Sequence, residues 1–158
     1  MYSKEELKQL NINFWTKFGQ FCDVHPELRH KKRKWMLHRT KVKDVAFRFE
    51  AGRKNAKVIL ELGSRNENQR FKAYEFLERY KVIMEEGFEN GLTWEFFHER
   101  EDSKKQICRI YTVLDGVDLH RQNQWPEIFS FYIENMAKLE DNFLMIRDLL
   151  IEELKSQN

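Results

Sequence analysis

Glycine and proline are scarce in this 158-residue chain, six and two residues respectively, and the scarcity removes several classes of protein at once. No G-x-G-x-x-G or Walker-type loop occurs, so the chain lacks the stretches that cradle nucleotide phosphates on consecutive backbone amides. The two cysteines, Cys22 and Cys108, have no C-x-x-C spacing and read as reduced core residues, not as a disulfide or a zinc site. The five histidines (25, 30, 38, 98 and 120) show neither H-x-x-x-H nor H-E-x-x-H spacing, which leaves no metal cluster to argue from. A G-x-S-x-G elbow is absent; Ser103 reads as a loop residue and Ser130 as a helix residue. No apolar run approaches the roughly 20 residues that a membrane-spanning helix needs. The opening residues, Met-Tyr-Ser-Lys-Glu-Glu-Leu, do not have a signal-peptide layout. The expectation is a cytoplasmic protein with no cofactor, no metal and no membrane contact.

What is present is aromatic and unevenly charged. A hydrophobic fraction of 41%, with 13 Phe and 4 Trp, supplies a core even though 34% of residues are charged. The length suits one domain, residues 1–158. Net charge is only +2, yet eight Lys/Arg and no acid fall between residues 28 and 43. The rest of the chain holds 20 basic against 26 acidic residues, a balance of −6. A concentrated positive run on an otherwise acidic chain points to a phosphate-bearing partner.

The chain is organised around Asp44–Phe88, a β-hairpin that feeds a long amphipathic helix. Val45, Phe47 and Phe49 alternate with Ala46, Arg48 and Glu50, and Val58, Leu60 and Leu62 alternate with Ile59 and Glu61. A turn centred between Arg53 and Lys54 pairs Val45 with Leu62, Phe47 with Leu60 and Phe49 with Val58. Six apolar side chains then share one face, and a one-residue slip would destroy the match. Ahead of the hairpin, Ser3-Lys4-Glu5-Glu6 forms a capping box for a first helix with the stripe Leu7, Leu10, Phe14, Phe18 and Phe21. That helix should end near Cys22–Asp23, before His25-Pro26. Ser64-Arg65-Asn66-Glu67 reads as a second capping box, and Gly87 and Gly91 as the exit of the second helix. Residues 92–97 and 106–114 make a second hairpin, with apolar residues on both faces. From Trp125 to Lys155 one helix is expected, with Pro126 in its first turn and a length of roughly 45 Å. That exceeds what a domain of this size covers, so its far end is expected to project or pair. The fold class is α+β: helix, hairpin, helix, hairpin, helix, with an antiparallel sheet of about four strands packed by three helices.

Phe14-Trp15, Val58-Ile59-Leu60-Glu61-Leu62, Leu92-Thr93-Trp94 and Gln124-Trp125-Pro126-Glu127 together make the chain similar to a bacterial family catalogued as domain of unknown function 4268. The resemblance covers nearly the whole chain, through short aromatic motifs. It implies a setting in nucleic-acid processing or defence, by association with longer members whose N-terminal part looks nuclease-like. It implies no catalytic residues.

Three functional readings follow. The first is a non-catalytic, nucleic-acid-associated accessory domain. It uses the basic segment 29–43: Arg29, Lys31, Lys32, Arg33, Lys34, Trp35, Arg39, Lys41 and Lys43, with Trp35 as a stacking platform. Its bland counterpart is a solvated connector whose charge guards a sheet edge. The second reading is a homodimerising or partner-binding module that uses Phe143, Ile146, Leu150 and Leu154 of the last helix. The third is a degenerate metal-dependent nuclease with Asp44 and Glu61 as diagonal neighbours on the polar sheet face. There, Gly63 stands where such sites carry a lysine, and Arg48 and Lys57 offer ordinary counter-charges.

Overall fold

The computed structural model describes residues 2–25 and 40–156. Helix α1 (Lys4–Val24) opens on the Ser3 capping box. The Ser3 hydroxyl accepts from the Glu6 amide at 3.1 Å, and the Glu6 carboxylate accepts from the Ser3 amide at 3.0 Å. Its spacing turns Leu10, Phe14, Phe18 and Cys22 inward. His25 then leaves in extended backbone, the conformation favoured before a proline.

Strands β1 (Val45–Ala51) and β2 (Asn55–Leu62) form the first hairpin, closed by the Gly52 amide donating to the Asn55 carbonyl at 2.9 Å. Val45 faces Leu62, Phe47 faces Leu60 and Phe49 faces Val58, which is the register the alternation demands. Beyond it, the Gly63 amide donates to the Asp44 carbonyl at 2.8 Å.

The expected Ser64 capping box does not form. Helix α2 (Glu67–Arg79) is capped by Asn66, whose side-chain oxygen accepts from the Gln69 amide at 3.0 Å. Ser64 instead accepts from the Asn66 amide at 3.2 Å, tightening the approach to the helix. The helical run also breaks at Tyr80, and a single turn, α3 (Lys81–Met84), carries on from it. Gly87 and Gly91 both take left-handed backbone, φ +82° and +70°, at the exit. Gly91 is doubly constrained, because a Cβ there would lie 3.0 Å from the Glu85 carboxylate. That carboxylate accepts from the Leu92 amide at 2.8 Å and the Trp94 indole at 2.9 Å.

Strands β3 (Thr93–Glu99) and β4 (Gln106–Asp115) complete one antiparallel sheet in the order β1-β2-β4-β3. The β3–β4 register shifts between Glu95 and His98, leaving Phe97 exposed on the edge strand. A 3-10 turn (Gln122–Gln124) leads into α4 (Trp125–Lys155), 31 residues long with Pro126 in its first turn. Among the described residues the architecture is α+β, a four-stranded antiparallel sheet and four helices.

The core sits between the helices and one sheet face. Phe14 and Phe18 of α1 meet Trp125, Phe129 and Tyr132 of α4, with ring centroids 5.1–6.3 Å apart. Phe49 closes the cluster from β1, 4.7 Å from Tyr132. The Tyr132 hydroxyl donates to the Glu50 carbonyl at 2.7 Å, and burial holds that phenol far above its ordinary pKa.

The far half of α4 does not project. Phe143, Ile146 and Leu150 are at most 1% exposed, and Leu154 is half-buried against the same core. The residues expected to form an interaction surface are therefore core residues. Helix α2 lies alongside to cover them: Lys72 donates to the Ser156 carbonyl at 2.6 Å, and Arg79 pairs with Glu153 at 3.4 Å. Asn142 adds a buried clasp, donating to the carbonyls of Met84 and Glu86 at 2.9 and 2.8 Å. The stripe is apolar as its spacing predicts, but its period does not say which element covers it. The large apolar side chains that α4 does expose are Leu144, Met145 and Leu149.

Candidate functional site

Two cavities of similar size differ in the balance of their charges. The first, about 540 Å³, lies between the entry to β1, the end of β2, the start of α2 and the end of α4. Lys41, Lys43, Arg70 and Lys155 line it, and among its described lining residues Asp44 is the single acid. Four cations against one anion leave a positive site. Its apolar wall is made by Val42, Val45, Leu62, Ala73, Ile151 and Leu154.

The loop that brings two of these lysines to the site is held under local strain. Lys41 and Asp44 both adopt φ +64°, the left-handed region that side chains disfavour. Buried Thr40 secures the turn: its hydroxyl donates to the Val45 carbonyl at 2.6 Å and accepts from the Val42 amide at 3.0 Å. The Val45 amide closes it by donating to the Val42 carbonyl at 3.1 Å.

Arg70 is the unusual member. It is 5% exposed on the stripe that also carries Ala73, Tyr74 and Leu77. Its guanidinium donates to the Ser64 carbonyl at 2.9 Å and stacks 5.1 Å from the Phe71 ring. The Glu67 carboxylate lies 3.8 Å away on a largely exposed side chain. Cys108 also touches it, but burial pushes that thiol up to about 11 against the pull of Arg70, so at neutral pH it stays protonated. Arg70 is thus a buried cation with a weak counter-ion.

The second cavity, about 560 Å³, lies on the sheet face opposite the helices. Ile59 and Ile107 are buried on that face, and Arg48, Lys57, Arg100 and Arg109 are matched by Glu50, Glu61, Glu101 and Asp102. Glu61, 7% exposed, receives Arg48 at 3.3 Å and Arg100 at 3.0 Å. Arg109, 6% exposed, reaches Glu95 at 2.8 Å and Glu50 at 3.4 Å. Each buried charge here is compensated twice within the chain, so the groove has little net charge to offer a ligand. This layer covers Ile107 and Tyr111, the apolar residues of β4 on that face, while Phe97 of β3 stays exposed.

The residues expected to act are distributed unevenly. Lys41 and Lys43 reach the positive cavity, whereas Arg29, Lys31, Lys32, Arg33, Lys34, Trp35 and Arg39 lie outside the described residues. Asp44 and Glu61 line different cavities, and two guanidiniums already hold the Glu61 carboxylate. Among the described residues no three His, Cys, Asp or Glu side chains gather as a metal site. The sequence reading missed Arg70 and Lys155. One signal was available for Arg70: a charged residue three, four and seven positions before Ala73, Tyr74 and Leu77 falls on the buried stripe.

An α+β domain with helices on one sheet face and a positive cavity at one end is the class these features define. The chain belongs to the family described as domain of unknown function (DUF4268), whose family model matches residues 10–146. No curated protein and no solved structure matches it. Among the described residues no helix is long and apolar enough to cross a membrane.

Proposed function

We propose that this chain is a non-catalytic binding domain that contacts the phosphates of a nucleic acid through its basic segment, residues 29–43. The observation that supports it is the convergence of Lys41 and Lys43 with Arg70 and Lys155 on one cavity whose described lining includes a single acid, Asp44. Backbone strain at Lys41 is retained where the basic run meets the fold, which fits a segment positioned for use. Phosphate contacts of this kind give affinity without reading sequence. The test is charge reversal at two places, the triple variant Lys32→Glu, Arg33→Glu, Lys34→Glu and the double variant Lys41→Glu, Lys43→Glu. Each should lose binding to short DNA or RNA while keeping the circular dichroism of the natural chain. Undiminished binding in both would remove the basic segment from the account.

A second reading, a homodimer or protein-binding module through α4, draws support from the outward-facing Leu144, Met145 and Leu149. Light scattering over a wide concentration range tests it: a mass that rises with concentration and falls back in a Met145→Glu variant would favour it. The nuclease reading has the least support, since Glu61 would first have to release Arg48 and Arg100. Cleavage in the presence of Mg²⁺ that survives Asp44→Ala would remove that residue from any such site.

A further inference from the structure

The interior of the positive cavity differs in chemistry from its rim. Lys41, Lys43 and Lys155 are exposed and suit a polyanion passing over the surface. Behind them the lining is aliphatic, with Val45, Leu62 and Ala73 buried and Ile151 and Leu154 half-buried. A phosphodiester backbone has no use for that wall. Its volume of about 540 Å³ falls within the usual range for small-molecule sites.

Arg70 is the polar feature that belongs to this interior. A guanidinium presents five N–H donors, and burying its charge is costly unless an anion answers it. Here the Ser64 carbonyl takes one donor, the Cys108 sulfur accepts another without supplying a charge, and Glu67 stands at 3.8 Å with its side chain mostly in water. The first turn of the 13-residue helix α2 lies beside it, adding a field that favours negative charge. A planar, doubly bonding head group is what a guanidinium binds best.

We propose that this cavity binds a small amphiphilic anion, its carboxylate or phosphate monoester head on Arg70 and its apolar body against Leu62, Ile151 and Leu154. The site shares its cavity and Arg70 with the nucleic-acid reading, but it depends on the aliphatic wall behind Arg70 and not on the basic run. Decanoate and decyl phosphate serve as probes, with decanol as the same tail without charge and inorganic phosphate as the head without a tail. Isothermal titration calorimetry on the whole chain should show both charged amphiphiles binding and both controls binding at least about tenfold more weakly, the discrimination expected of a charge-assisted contact. Arg70→Gln should lose about tenfold for the charged probes and leave decanol unchanged. If that variant does not fold, Leu154→Trp, which narrows the cavity at a half-buried position, should abolish binding of the charged probes. Decanol binding as tightly as decanoate would overturn the role given to Arg70. Binding of neither amphiphile would overturn the site, and a DNA titration of the same sample reports separately on the basic segment.

Discussion

Replacing Lys41 by glycine should stabilise the fold and weaken the proposed function together. An L-residue in the left-handed region costs about 1–2 kcal/mol, and Lys41 occupies that region at φ +64° on an exposed turn. Glycine removes this cost but adds about 0.5–1 kcal/mol of chain entropy to the unfolded state. The net expectation is a gain of about 0.5–1 kcal/mol, which for a chain of this length raises Tm by roughly 1–4 °C. Lys43→Gly is the matched control. It removes the same charge two residues away, where the backbone is not left-handed, so it should cost about 0.5–1 kcal/mol instead. Urea unfolding followed by tryptophan fluorescence measures both. Each variant should also lose one phosphate contact, lowering the salt dependence of nucleic-acid binding by about 0.9 in log–log slope. Stability that changes with the same sign in both variants would refute the strain argument.

Three further perturbations address the fold. Gly91→Ala should destabilise by about 1–2 kcal/mol, since left-handed strain combines with a 3.0 Å approach to the Glu85 carboxylate that holds Trp94; a shift in tryptophan emission should accompany the lower denaturant midpoint. Phe143→Ala should cost about 3–5 kcal/mol and Met145→Glu less than about 0.5 kcal/mol, because one side chain is wholly buried against Phe47 and the other is 72% exposed. The same urea assay separates the two. Alkaline pH should weaken the fold through its thiols, which burial pushes from 9.0 to about 12 at Cys22 and about 11 at Cys108. Above the unfolded value the unfolded chain releases protons that the folded chain keeps. Their contribution is therefore complete below pH 9.0 and falls as pH rises towards about 11 and 12, by at most about 1.4 kcal/mol per pH unit for each thiol. Urea midpoints on either side of pH 9.0 in the natural chain and in Cys22→Ala check the sign, since the variant should lose less.

How much of this was legible in the sequence depends on whether one segment carried the information. The β1–β2 register was, because alternating Val45, Phe47 and Phe49 against Val58, Leu60 and Leu62 admits one solution. The start of α2 is ambiguous in the sequence because Ser64 and Asn66, two residues apart, both have capping side chains. Phe143, Ile146 and Leu150 read as a surface in the sequence since a stripe shows its own periodicity and not its cover; α2, some 70 residues earlier in the chain, supplies it. The positive cavity was the least legible feature. Three separated stretches assemble it, around Lys41–Val45, Leu62–Ala73 and Ile151–Lys155. The hairpin register joins the first two, through Val45 opposite Leu62, but nothing local brings in the third. Arg70 was overlooked because a cation on an apolar stripe is usually a residue that reaches out to solvent. Here it stays inside.

The most direct test of the central claim is the binding of the natural chain to short single- and double-stranded DNA and RNA, followed by fluorescence anisotropy across a salt series with and without Mg²⁺. The account predicts binding that weakens steeply with salt, is insensitive to base sequence and proceeds without cleavage, the slope giving the number of phosphates neutralised. No binding at low salt would contradict it, and would leave the basic segment as a solvated connector on a domain that works through another surface.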